Sequence, residues 1–165
     1  MTGTRRRSYE SGHRPKYLIV IDGTEECDRA IYFAAKRAAR VGAGLAMLTI
    51  MDDAEHHHWL GVGDIMKAEA EDAAKAMLEK AASRARMLAG IESEQIVRSG
   101  PPTEAIRTLI NEDQDIIFLA LAASTSTDGP GPLVSMVAGK SAGNFPIPVV
   151  IVPGDLTDEQ IDALA

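Results

Sequence analysis

The chain has 165 residues, 45% of them apolar and 25% charged, with a formal net charge of -7. That is enough chain for one domain with a proper core, and no apolar run reaches the length of a membrane span, so a helical membrane protein is excluded. Residues 1–16 carry Arg5, Arg6, Arg7, Arg14 and Lys16 against Glu10, a local +4, which leaves -11 on the remainder. An acidic folded body repels phosphate backbones, which argues against nucleic acid as the main partner. The single cysteine, Cys27, rules out an intrachain disulfide and fits a reducing compartment. With no apolar h-region in the first residues, the chain reads as cytoplasmic.

Residues 1–15 hold almost no apolar side chains and read as a mobile, disordered basic arm. Residues 16–154 read as one α/β domain. The run Tyr17-Leu18-Ile19-Val20-Ile21 is continuously apolar, which suits a strand covered on both faces, and it ends on Asp22-Gly23-Thr24. Cys27, Ile31, Ala34, Ala38 and Val41 then recur at helical spacing, with Thr24 placed as N-cap. Cys27 falls on the apolar stripe, so it reads as packing and not as a reactive thiol. Gly42 stops this helix and Leu45 to Met51 form a second buried strand.

The loop of residues 54–63 contains His56-His57-His58-Trp59. Three adjacent histidines cannot all face one ion without an unusual backbone, and no second ligand cluster accompanies them, so metal binding is not the preferred reading. Trp59 reads instead as an anchor for the loop, onto the body or onto a partner. A long helix is expected from Asp64 to about Leu88, its apolar face made by Ile65, Met66, Ala70, Ala73, Ala74, Met77, Ala81, Ala85 and Leu88. A short edge-like strand follows at Glu94 to Ser99. Gly100-Pro101-Pro102-Thr103-Glu104 then opens a third helix, since proline suits a first helical turn.

Ile116 to Leu121 is a fourth strand as apolar as the first. It leads into a Ser-, Thr-, Gly- and Pro-rich loop, Ala122 to Pro132, and a short helix over about 133–143. Val149 to Val152 is the last strand. Thr157 with Gln160 makes a capping box for a short helical tail over 155–165. Strands alternating with helices in this way predict parallel pairing through right-handed crossovers, with ligands beyond the carboxyl ends of the strands.

Four stretches together resemble the universal stress protein family: Leu18-Ile19-Val20-Ile21-Asp22-Gly23-Thr24-Glu25, the Gly100 to Ile106 turn, the Asp115 to Leu121 strand, and the Pro146 to Val152 finish. The resemblance spans about residues 17–153. It implies a single-domain α/β fold, Rossmann-like, with a five-stranded parallel sheet of order 3-2-1-4-5 and helices on both faces. It also implies a homodimer paired through Val149 to Val152. In some members it implies an ATP site, the nucleoside held by the first-strand aspartate and the end of the second strand, the phosphates by a Gly-x2-Gly-x9-Gly-Ser/Thr loop.

This chain departs from that loop. Gly129 and Gly139 have the right separation, but Ser126 stands at the first glycine position and Lys140 where Ser or Thr belongs, with Ser141 one later. Counting back from Pro146 and Pro148 instead places Ser135, Thr125 and Ala122 at the three glycine positions. Pro130 and Pro132 remove N–H donors from the loop outright. Gly139-Lys140-Ser141 also mimics the end of a P-loop, but residue 134 is Val where that motif needs glycine.

The candidate nucleotide-binding residues carried over are Asp22, Gly23, Thr24, Ile50, Ala122, Ser124, Thr125, Gly129, Gly139 and Ser141, with ATP as the candidate cofactor. No nucleophile, base and orienter are arranged together, so the chain reads as a homodimeric stress-response binding or regulatory module and not as an enzyme. The alternatives are an ATP-binding member using Asp22 and the 122–141 loop, and a partner-binding scaffold using the Trp59 loop or the basic arm.

Overall fold

The structure is a computed structural model that describes residues 4–51 and 63–165. The elements alternate: β1 (Lys16–Val20), α1 (Cys27–Val41), β2 (Gly44–Met51), α2 (Gly63–Ala89), β3 (Ser93–Ser99), α3 (Pro102–Glu112), β4 (Ile116–Ala123), α4 (Pro132–Ala138), β5 (Val149–Pro153) and α5 (Asp158–Leu164). The five strands form one sheet of order β3-β2-β1-β4-β5, and every pairing is parallel. The α/β fold and the sheet order are those expected, with β1 in the centre.

Why the first strand shows no polar alternation is now clear. Successive side chains point to opposite faces of a sheet. Tyr17, Ile19 and Ile21 enter the core under α1 and α2, while Leu18 and Val20 enter the core shared with α3 and α4. Leu18 and Ile19 have no exposed surface at all. Each such side chain contributes about 2 kcal/mol by leaving water.

Three local expectations need correction. Helix α1 begins at Cys27, so its N-cap is Glu26 and not Thr24, and Glu26 makes no side-chain capping bond. Helix α4 ends at Ala138, and residues Ala142–Asn144 form a separate 3-10 turn. The apolar face of α2 is rotated and shorter than its periodicity implied: Ala74, Leu78, Ala81, Ala82 and Ala85 are buried, whereas Ala73 is exposed and Ile65 is 65% exposed. A helix of 27 residues is about 40 Å long. The eight-residue strand β2 it follows spans only about 26 Å. The first turns of α2 therefore have no sheet to cover.

The basic arm also differs from expectation over residues 4–15. Arg6 donates to the carbonyls of Asp113 (3.0 Å) and Ile116 (3.2 Å), and the Arg7 N–H donates to Gln114 O at 2.9 Å. His13 Nδ1 lies 2.7 Å from Asp115 Oδ1, and Arg14 donates to the carbonyls of Gly42 and Ala43 at the end of α1. Ser8 is buried. Residues 4–15 thus strap the amino end of the sheet, where loop carbonyls and aspartates need donors. At the other terminus the Thr157–Gln160 capping box is present, and Ile161 of α5 is fully buried against Tyr32.

Candidate functional site

The carboxyl end of β1 carries the candidate site. The Ile21 N–H still donates to Leu48 O at 2.7 Å, after which the chain turns through Asp22, Gly23 and Thr24. Gly23 has φ +75°, a conformation that a side chain resists. Asp22 Oδ1 accepts from both the N–H (3.1 Å) and the hydroxyl (2.7 Å) of Thr24, closing an Asx-type turn. Thr24 therefore spends its hydroxyl on Asp22 and caps nothing. Below the turn, Thr49 donates its buried hydroxyl to Ile21 O at 3.0 Å, which fixes the ends of β1 and β2 together.

Two cavities open on either side of this turn. A cleft of about 280 Å³ faces α3 and α4, lined by Asp22, Thr49, Ile50, Pro102, Leu133 and Met136 among others. A second cavity, about 390 Å³, lies on the α1–α2 side and includes Gly23, Thr24, Cys27, Ile31, Lys80 and Arg84 in its lining. Ile21 and Met77 line both. The first cleft is mostly apolar with one carboxylate at its edge. Such a slot suits a flat, largely uncharged ring system bearing hydroxyl donors for Asp22.

The loop after β4 is occupied with itself. The Ser124 N–H donates to Pro130 O (3.0 Å), Ser126 N–H to Ser124 Oγ (3.1 Å), Asp128 N–H to Ser126 Oγ (3.2 Å) and Gly129 N–H to Ser126 O (3.2 Å). The carboxylate of Asp128 sits in the same loop. Phosphate oxygens need N–H groups that point outward and are not already bonded. Gly139 caps the C-terminus of α4, where a Cβ would lie 2.8 Å from Ser135 O, and Ser141 leads the following 3-10 turn. Both are separated from the loop by seven helical residues, roughly 10 Å. They also stand at the negative end of the helix dipole.

Of the candidate residues, the structure thus brings Asp22 and Ile50 into the cleft, and Gly23 and Thr24 into the neighbouring cavity. Ala122 pairs with Val152 at the end of β4, Ser124, Thr125 and Gly129 lie in the self-bonded loop, and Gly139 and Ser141 lie beyond α4. Sequence reasoning missed Thr49, Met77, Pro102, Leu133 and Met136. Thr49 and Pro102 stand inside stretches already singled out, but nothing local marks Met77 as different from any core methionine. The His56-His57-His58-Trp59 segment lies outside the described residues. Among the described residues no three His, Cys, Asp or Glu side chains stand close enough to hold a metal ion, and no helix is long and apolar enough to cross a membrane.

Residues 14–153 match the model of the universal stress protein family. The chain belongs to that family. Solved structures agree on the fold. The universal stress protein UspA from Lactobacillus plantarum is 20% identical, with a TM-score of 0.60 over 84% of this chain and 97% of that one. A universal stress protein solved in complex with cAMP is 20% identical, with a TM-score of 0.59 over 86% and 98%. One from Archaeoglobus fulgidus in complex with dAMP is 18% identical, with a TM-score of 0.59 over 84% and 97%. No curated protein sequence matches the chain.

Proposed function

We propose that this family member is a cytoplasmic, homodimeric binding or regulatory module of the stress response, without turnover of its own. Its Asp22 cleft accepts a nucleoside-sized ligand and holds a triphosphate poorly. The observation that carries the second half is the loop of residues 122–132: four of its N–H groups are bonded within the loop and two positions are proline. Support for the first half comes from the apolar cleft beside Asp22, and from relatives of the same fold solved with cAMP and with dAMP. A triphosphate there would meet Asp128 and the net negative body, with no cluster of lysines in residues 122–141 to offset its charge.

Calorimetry tests the reading. Mg-ATP is expected to bind at about 0.1 mM or more weakly, no more than about 5–6 kcal/mol of binding, and no more tightly than adenosine. A micromolar constant for Mg-ATP that Asp22→Ala abolishes would overturn it in favour of an ATP-binding role.

A further inference from the structure

We infer that the cavity on the α1–α2 side is a subsite for an apolar group carried by the ligand of the Asp22 cleft, with Met77 as the movable partition between the two. This rests on the cleft being a small-molecule site. The two cavities share the side chains of Ile21 and Met77. Met77 reaches from α2 across the β1 turn to a place that only glycine leaves open: a Cβ on Gly23 would lie 3.1 Å from Met77 Cε and 3.5 Å from its Sδ. An unbranched thioether has three torsions to rotate and loses little by doing so. Moving it would join the two spaces.

The far cavity is an open pocket with an apolar floor and a charged rim. Ile21, Cys27, Ile31 and Ala81 are each buried and form its floor. Of the four charged side chains that line it, Glu25, Asp28, Lys80 and Arg84, two are committed to ion pairs. Asp28 accepts from Arg84 Nε at 2.9 Å and from Arg29 Nη2 at 2.6 Å, so neither Asp28 nor Arg84 demands a counter-ion from a ligand. Cavities of about 150 Å³ with apolar walls already take up benzene. At about 390 Å³ this one has room for a benzyl-sized group.

The test compares adenosine with adenosine bearing a benzyl group on its exocyclic amine, by calorimetry on the full chain. The wild type should bind the benzyl derivative about tenfold more tightly, from the apolar area it buries. Met77→Ala should widen that ratio. Ala81→Leu, which narrows the far cavity only, should abolish it while leaving adenosine affinity unchanged; circular dichroism checks its fold. No preference for the benzyl derivative in either wild type or Met77→Ala overturns the inference. If neither nucleoside binds, the nucleoside reading of the cleft fails by itself. The chamber is then tested with benzyl alcohol on methionine-methyl-labelled protein. A saturable shift of the Met77 methyl resonance that Ala81→Leu removes upholds it, and no shift overturns it.

Discussion

At the scale of single residues, the β1 turn shows how two good capping residues compete. Asp22 and Thr24 each have a side-chain oxygen suited to an N-cap, and their spacing alone does not say which bonds to which. In the fold, Asp22 takes both donors of Thr24, and helix α1 starts two residues later than the pattern suggests. Asp22→Ala is therefore expected to cost about 1 kcal/mol in urea unfolding without any ligand present. Asp22→Asn, which keeps the accepting oxygen, should cost less. Cys27, by contrast, behaves as its place on the helix implied. Burial pushes its thiol from its ordinary 9.0 up to about 12. Its Sγ donates to Val20 O. A disulfide reagent at pH 8 should modify the native thiol much more slowly than the unfolded one, because burial both lowers the thiolate fraction and blocks access. Because the folded pKa is the raised one, the associated stability is complete below about 9 and is lost as pH rises toward 12. Urea midpoints of the wild type should fall more steeply than those of Cys27→Ala between pH 8 and pH 10.5; parallel slopes would show that the thiol is hydrated.

Elements were legible where one physical effect dominated. Strands β1, β2 and β4 follow from continuous apolar runs, the strand order is the one the family resemblance implied, and the Thr157–Gln160 box marked α5 correctly. What stayed hidden depended on distant partners. Nothing in Arg5-Arg6-Arg7 announces the carbonyls of Asp113, Gln114 and Ile116, which are about a hundred residues away in sequence. Those carbonyls lie at the amino end of β4, and a buried or half-buried acceptor left unpaired is costly. The same reasoning extends to the loop after β4: its two prolines already removed donors, and serine oxygens and the Pro130 carbonyl claim amides that remain, which composition alone did not show. The strap makes a direct prediction. Removing residues 1–12 should lower the unfolding free energy by about 2–3 kcal/mol, through loss of the Arg6 and Arg7 bonds and exposure of their acceptors. Arg6→Ala alone should account for much of it. Unchanged denaturant midpoints for both variants would show that the arm leaves the body in solution.

For the molecule as a whole, the sheet has two edges and they are treated differently. An edge strand offers unpaired backbone groups to any other chain, and proteins blunt such edges with charge or cover them. Edge strand β3 carries Glu94, Gln95 and Arg98, and Arg98 is paired with Glu112. The opposite edge, β5, reads Val149-Val150-Ile151-Val152-Pro153 with no charge at all, and Ile151 is 40% exposed. One edge is defended and the other is left apolar, which is the arrangement expected if β5 meets a second copy of the chain. The family resemblance implied pairing through this same strand. Sedimentation at micromolar concentration is therefore expected to show a dimer. Ile151→Lys places a charge in the middle of the edge without touching the core, so it should shift the equilibrium to monomer while the circular dichroism spectrum stays the same. A wild-type monomer under these conditions, or an Ile151→Lys protein that remains dimeric, would mean that β5 is not the contact and that the apolar edge is tolerated bare.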